Sequence, residues 1–253
     1  MINIGITTYN RPDYLKRTVD SIVKNTVSPY TLFIYDDFSS DNTVDLLKKR
    51  YRGRDNIVII SGTKRKGIVP GFNTLWKFSE SYNDNPYFCY IQDDTEVQER
   101  GWIQTLVSCY ESQKKINDYK VGLFSGHHAP EHPSEGGKLL DGRLVIFKKS
   151  IRATNMIAPY EFWHKIGYVP PNNPDGTPRG LPGPANSDGS RGKGSNIDLY
   201  ITGFQSKGIF VEKAAGENCS WRLGTYCMVV PGIVKHLATS TEDSTWGNPN
   251  KEN

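Results

Sequence analysis

The chain has 253 residues, of which 36% are hydrophobic and 11% aromatic; that suits one large domain with a real core and excludes an intrinsically disordered protein. Its 31 basic and 27 acidic residues leave a formal charge of +4, thin support for a polyanionic partner, since a dedicated nucleic-acid binder concentrates far more positive charge. The elements then follow in order. Met1 to Thr7 reads as a first strand, and Asn10-Arg11-Pro12 opens a helix, with Asn10 as its cap and Pro12 in its first turn. Leu15, Val19, Ile22 and Val23 fall at helical spacing. Thr31 to Tyr35 is a second strand, Asp36 to Thr43 a polar turn, and Val44 and Leu47 start a second helix. Ile57 to Ile60 is a third strand, Pro70 begins a helix through Trp76, and Tyr87 to Ile91 is a fourth strand ending in Gln92-Asp93-Asp94.

Repeated strand–helix units predict an α/β fold with a doubly wound, mostly parallel sheet. Ligands in such sheets bind at the carboxyl ends of the strands, where Thr7–Arg11, Asp36–Asp37 and Gln92–Asp94 all fall. The second half is less regular. Val121 to Phe124 and Leu144 to Phe147 read as strands, Pro159 to Ile166 as a short helix, Ile197 to Ser206 as a helix and Ile209 to Lys213 as a strand. Met228 to Val234 reads as a late strand interrupted by Pro231-Gly232, and the tail from Thr239 is polar. Pro170 to Gly194 holds six prolines and six glycines in 25 residues; a loop of that length and composition is read as a lid over the site. No apolar run approaches the roughly 20 residues needed to cross a bilayer, and the alternation of Ile2, Ile4 and Ile6 leaves no signal peptide ahead of the fold. Cys89, Cys109, Cys219 and Cys227 form no Cys-x-x-Cys pair, so reduced structural thiols in a cytoplasmic protein are expected.

The usual phosphate cradles are missing from the sequence. No Gly-x-Gly-x-x-Gly follows the first strand, and although Gly62 and Gly67 have P-loop spacing, Ile68 and Val69 replace its lysine and hydroxyl residue. A divalent ion held by carboxylates and phosphate oxygens neutralises a diphosphate equally well, and Asp93-Asp94 after an apolar strand is a suitable anchor. Taken alone, Asp93-Asp94 is equally a solvated turn. Asp36-Asp37 after the second strand adds a second acidic pair at the same sheet edge, and two such pairs repel unless something positive sits between them.

These residues also carry a resemblance. Ile6-Thr7-Thr8-Tyr9-Asn10-Arg11-Pro12, followed by Asp36-Asp37-Phe38-Ser39-Ser40-Asp41, resembles the opening of a family-2 glycosyltransferase of GT-A fold. Lys66-Gly67-Ile68 through Asn73, then Ile91-Gln92-Asp93-Asp94, Glu96, Val97 and Gly101-Trp102, resemble the segments that continue it. The likeness is specific over residues 1–110 and patchy beyond. It implies a single GT-A-like domain over 1–253, with a nucleotide-sugar half (1–110), an irregular acceptor-side half (111–238) and a tail (239–253). It further implies metal-dependent, inverting transfer of a hexosyl or pentosyl group from a nucleoside-diphosphate sugar, a UDP-sugar above all, with Mn2+ or Mg2+ as cofactor. By the same resemblance Thr7, Thr8, Tyr9 and Arg11 wrap the nucleobase, Asp37 accepts from a base ring N–H, and Asp93 faces the ribose or the metal. Asp94 and the late His236 are the implied metal ligands; Arg65 and Asn73 are further nucleotide-side candidates. The sequence departs from the family in two places. Gln92 stands at the first aspartate of the usual Asp-x-Asp, and Ser195-Asn196 stand where the family often keeps Glu-Asp. Asp198 is therefore the candidate general base, with Asp188 as the fallback; Asp198 is equally a helix-start charge.

Other features admit bland readings. Pro130 and Pro133 prevent one helical face from presenting His127, His128 and His132 together, and no fourth zinc ligand is obvious nearby, so a loop flanking the acceptor cleft is expected. His164 reads as structural, Lys64-Arg65-Lys66 as a solvated loop or a phosphate contact, and Trp163, Trp221 and Tyr226 as core or as sugar platforms. The acceptor is open: glycan, lipid, protein or modified nucleic-acid base. A non-catalytic sugar-nucleotide or glycan-binding module of the same fold and a nucleotidyltransferase are the alternatives.

Overall fold

Ile2, Ile4 and Ile6 point to one face of the first strand, and Asn3, Gly5 and Thr7 to the other. In the computed structural model, which describes residues 1–116, 118–130, 132–172, 197–202, 218–220 and 222–237, this strand, β1 (Ile2–Thr8), is buried along its whole length. It pairs in parallel with β2 (Tyr30–Asp36) on one side and β4 (Tyr87–Ile91) on the other, and β3 (Ile57–Ser61) extends the parallel array beyond β2. The crossovers are α1 (Pro12–Asn25), α2 (Thr43–Arg50) and α3 (Ile68–Tyr82). Strand alternation sorts the core into two layers. Ile2, Ile4, Ile6, Leu32, Ile34, Cys89 and Ile91 pack with Leu15, Val19 and Ile22 of α1. Phe33, Tyr35, Phe88 and Tyr90 pack on the opposite face with Val69, Phe72, Leu75 and Trp76 of α3. Gly71 lets α3 settle on the sheet, because a Cβ there would lie 2.8 Å from the Tyr35 ring and 2.9 Å from Thr7 Cγ2.

The rest of the sheet is mixed. β9 (Asn155–Pro159) runs antiparallel to both β4 and β6 (Val121–Ser125). β10 (Tyr226–Val229) returns late in the chain to lie between β6, which it parallels, and β8 (Arg143–Lys148), to which it is antiparallel. β7 (Ser134–Leu140) closes a hairpin with β8 at the edge. The full order is β3-β2-β1-β4-β9-β6-β10-β8-β7. A separate two-stranded ladder joins β5 (Thr95–Val97) to β11 (Val234–His236). α4 (Trp102–Ile116), α5 (Tyr160–Ile166) and α6 (Ile197–Thr202) complete the elements.

Several expectations are corrected. Asn10 does not cap α1: the N-cap residue is Arg11, and Asn10 takes a left-handed φ of 50°. α3 starts at Ile68, before Pro70, because Pro70 sits in its first turn without needing a donor. The late apolar stretch is two strands in different sheets, broken at Gly232 with φ 83°. The stretch from 173 to 194, the strand expected at Ile209–Lys213 and the tail from Thr239 lie outside the described residues. Cys89, Cys109, Cys219 and Cys227 are all buried and free, and no helix among the described residues is long and apolar enough to cross a membrane.

Candidate active site

Because β1, β2 and β4 are parallel, the loops that follow them open at one edge of the sheet. The centre of this edge is Arg11. Its Nη1 donates to Asp93 Oδ1 at 2.8 Å and its Nη2 to Asp94 Oδ2 at 2.9 Å, and the guanidinium lies over the Tyr14 ring at 4.6 Å. Thr8 Oγ1 donates to Asp93 Oδ2 at 2.9 Å. Thr18 ties the same loop to α1, donating to Asp93 O at 2.6 Å and accepting from the Thr95 N–H at 3.1 Å. Burial works against the guanidinium charge, but Asp93 and Asp94 outweigh it and hold Arg11 protonated. Burial, reinforced by the charge of Asp94, pushes the Asp93 carboxyl above the usual carboxylate range despite Arg11. Burial also acts on Asp94, where His236 and Arg11 overcome it and hold the carboxyl below that range.

His236 reaches this place through the small ladder. It stands opposite Thr95 in the β11–β5 register, and the next residue, Leu237, donates its backbone N–H to Asp94 O at 2.7 Å. Its Nε2 then lies 3.3 Å from Asp94 Oδ1. That oxygen is buried and has no aligned hydrogen-bond donor among the described residues. A buried carboxylate oxygen without a donor normally has another explanation, an ion among them. An oxygen and an imidazole nitrogen in adjacent positions around a small divalent cation stand about 3 Å apart, so the pair fits such an ion. The carboxylate oxygen suits either Mn2+ or Mg2+, whereas the imidazole suits Mn2+ better than Mg2+, which keeps to oxygen ligands; phosphate and water would fill the remaining positions. No group of three or more His, Cys, Asp or Glu side chains comes together as a metal site among the described residues; Asp94 and His236 are the pair that meets at this place.

The second half of the edge is built on Asp37. Its backbone N–H donates to Thr8 O at 2.9 Å, and its two carboxylate oxygens accept from the N–H groups of Lys66 (2.8 Å) and Gly67 (2.7 Å) at the start of α3. A carboxylate complements the positive end of a helix dipole, and Gly67 holds φ 88°, which lets its N–H turn toward it. Burial nevertheless pushes the Asp37 carboxyl up. Each oxygen retains acceptor capacity. Beside it the Arg65 guanidinium stacks over the buried Tyr9 ring at 4.1 Å. The turn between is locked: Ser39 gives its N–H and hydroxyl to Asp36, and its hydroxyl accepts from the Asn10 N–H.

Thr8, Tyr9, Arg11, Asp37, Arg65, Asp93, Asp94 and His236 thus belong to one edge. Arg11 lies against the acidic pair, not beside Asp37. Thr7 lies in the floor, bonded to the Tyr90 hydroxyl at 2.7 Å. Asn73 is directed elsewhere: its amide is tied both ways to the backbone of Val169, at 2.8 and 3.1 Å. Trp163 is core, its Nε1 on Phe88 O, and Tyr226 meets the Tyr119 ring edge-on. His164 is exposed and pairs with Glu80. His132 is buried against Ser150, while the His127 ring sits 6.3 Å from that of His236. Asp198 falls in α6, its side chain outside the described residues, as are Asp188, Ser195, Asn196 and Trp221. Thr18 and β5, whose pairing with β11 places His236, escape a reading of the sequence, because three residues carry no periodic signal.

A family model described as Glycosyl transferase family 2 matches residues 3–167. The chain belongs to glycosyl transferase family 2. Family relatives include the poly(ribitol-phosphate) beta-glucosyltransferase of Bacillus spizizenii, 25% identical over 171 residues, covering 62% of this chain and 26% of that protein. The chondroitin synthase of Pasteurella multocida is 26% identical over 144 residues, or 53% of this chain and 14% of that protein. The chain therefore spans 26% or less of the length of these curated relatives. Among solved structures, that of S. aureus TarS superposes with a TM-score of 0.50 at 14% identity, over 67% of this chain and 30% of that one; this likeness shows the GT-A fold alone.

Proposed function

We propose that this family-2 chain is a glycosyltransferase that moves a hexosyl or pentosyl group from a nucleoside-diphosphate sugar, a UDP-sugar in our reading, to a hydroxyl acceptor with inversion. The observation that carries this reading is the pair Asp94 Oδ1 and His236 Nε2, 3.3 Å apart, at the same edge of the parallel sheet as the Asp37 carboxylate. The names of the relatives, a glucosyltransferase and a polysaccharide synthase, support the reaction class. Asp37 and Tyr9, with Arg65, form the nucleobase side, and Thr8 and Arg11 fix Asp93 toward the ribose. Asp94 and His236 would hold the Mn2+ or Mg2+ ion, whose Lewis acidity supplies stabilisation of the leaving diphosphate. The acceptor hydroxyl gives its proton to a carboxylate base, which we assign to Asp198; its oxygen bonds to the anomeric carbon as the bond to the diphosphate breaks. The acceptor is a glycan, lipid, protein or modified nucleic-acid base. Four buried free thiols support a cytoplasmic setting.

Calorimetry with UDP, with and without Mn2+, tests the reading. Binding is expected to tighten with the ion, and Asp94→Ala to remove the metal-dependent part while circular dichroism shows an intact fold. Equal affinity in both conditions, or no binding of any nucleoside diphosphate, overturns it. Ser195-Asn196 in place of an acidic pair favours a second reading, a binding module without turnover. Slow donor hydrolysis in the absence of acceptor separates the two, since a binding module releases no nucleoside diphosphate.

A further inference from the structure

We propose that Arg11 is a resident counter-cation of the Asp93–Asp94 pair that weakens binding of a divalent ion on its own and leaves tight binding to the ion and nucleoside diphosphate together. This rests on the metal-dependent reading above. Adjacent buried carboxylates repel strongly where water is excluded, and Arg11 resolves the repulsion by giving one N–H to each, at 2.8 and 2.9 Å. It grips two carboxylates with the two arms of one rigid fork, a geometry that the single ammonium of lysine cannot reproduce. Nor is it poised to swing away. The Arg11 side chain is 4% exposed, Tyr14 covers its face, and its backbone carbonyl accepts the first hydrogen bond of α1, from the Leu15 N–H at 3.0 Å.

The consequence follows from the oxygens. Asp93 Oδ2 is taken by Thr8, and Asp93 Oδ1 and Asp94 Oδ2 by Arg11. Asp94 Oδ1 alone remains, aimed at His236. A divalent ion arriving by itself meets one anionic oxygen and one imidazole, next to a guanidinium that has already offset one negative charge. Diphosphate oxygens supply both the missing ligands and the missing negative charge, so ion and nucleotide favour each other's binding through linkage. Arg11 also holds Asp94 by its other oxygen, which fixes the direction in which Oδ1 points.

The test is titration of Mn2+ alone into the full chain, for the parent, Arg11→Gln and Arg11→Lys, then again with saturating UDP. Parent binding of the ion alone is expected to be weak. Arg11→Gln frees both carboxylates and is expected to bind Mn2+ alone at least about tenfold more tightly, roughly one decade of Kd, and to gain less from UDP than the parent does. A folded Arg11→Gln protein whose affinity for Mn2+ alone matches the parent's overturns the inference. Should that variant fail to fold, Arg11→Lys keeps the charge but reaches one carboxylate, and is expected to tighten Mn2+ binding about threefold; unchanged affinity there overturns it equally. If the parent binds no Mn2+ even with UDP, the metal-dependent reading itself falls, and this inference with it.

Discussion

Asn10 and Ser40 hold each other reciprocally: the Asn10 amide donates to the Ser40 hydroxyl at 3.1 Å, and the Ser40 backbone N–H donates to Asn10 Oδ1 at 2.8 Å. Asn10 has φ 50° and Phe38, two residues before Ser40, has φ 67°. Both loops therefore hold a non-glycine residue in the left-handed region, and the bonds of Asn10 to Ser39 and Ser40 tie one loop to the other. Asparagine tolerates that region better than most residues. Asn10→Ala is expected to cost about 1–2 kcal/mol in urea unfolding, from the left-handed backbone and the lost hydrogen bonds. Asn10→Gly keeps the backbone freedom and should cost less. Equal losses would show that the side-chain bonds, not the backbone, carry the effect.

Gly67 is expected to be the least replaceable glycine near the site. With φ 88° and ψ 171° it occupies backbone space that other residues enter only at about 1–3 kcal/mol. Gly67→Ala should lower stability by that amount and also weaken nucleotide binding, because the N–H aimed at Asp37 turns with the backbone. Full UDP affinity in a destabilised Gly67→Ala protein would separate Asp37 from the nucleotide.

The pH dependence of Asp37 has a definite sign. Burial raises its carboxyl above the ordinary value of 3.8, so the native chain holds this proton more tightly than the unfolded chain. Its contribution to stability is fully present below 3.8 and is lost as pH rises through the higher folded value. The difference in unfolding free energy between parent and Asp37→Asn should therefore grow in the parent's favour as pH falls through that window. Uridine binding should move the other way, because the ionised carboxylate is the acceptor, and Asp37→Asn should flatten it. A uridine titration that is flat in the parent would remove Asp37 from base recognition.

His236→Ala is expected to leave the fold intact, since the residue contributes its backbone to the ladder with Thr95 and its side chain is partly exposed. With UDP present, Mn2+ affinity should drop by at least about tenfold, or roughly 1.4 kcal/mol. Parental affinity in this variant would mean that Asp94 holds the ion with phosphate and water alone.

Asp198→Asn should lower sugar transfer by at least roughly 10²-fold while calorimetric UDP affinity stays at the parental value. Near-normal turnover removes Asp198 as the base and turns attention to Asp188, for which the matching substitution is the next measurement.

The parallel half of the fold was legible because its strands are covered on both faces. Ile2, Ile4 and Ile6 recur along β1, Leu32 to Tyr35 run apolar without a break along β2, and the helices between them carry a 3.6 period. β7, with Ser134, Glu135, Gly136 and Gly137, has no strand propensity to read and is a strand only because β8 pairs with it. β5 and β11 have three residues each, too short for periodicity, and they decide where His236 goes. The acidic residues of the site were visible from their positions at strand ends. The grip of Arg11 on Asp93 and Asp94 was not, since composition and spacing carry no distance between segments so far apart in the chain.

The position of β10 also bears on how the molecule is made. It fills the slot between β6 and β8, strands emerging from the ribosome long before it. Until Tyr226–Val229 arrive, those two strands lack their shared neighbour and expose edges that favour aggregation. Pairing across so long a separation is slow to nucleate, and β11, which sets His236 against Asp94, follows a few residues later still. The parallel half, with its Arg11-bridged carboxylates, can assemble during synthesis; the side of the site that carries His236 is finished last.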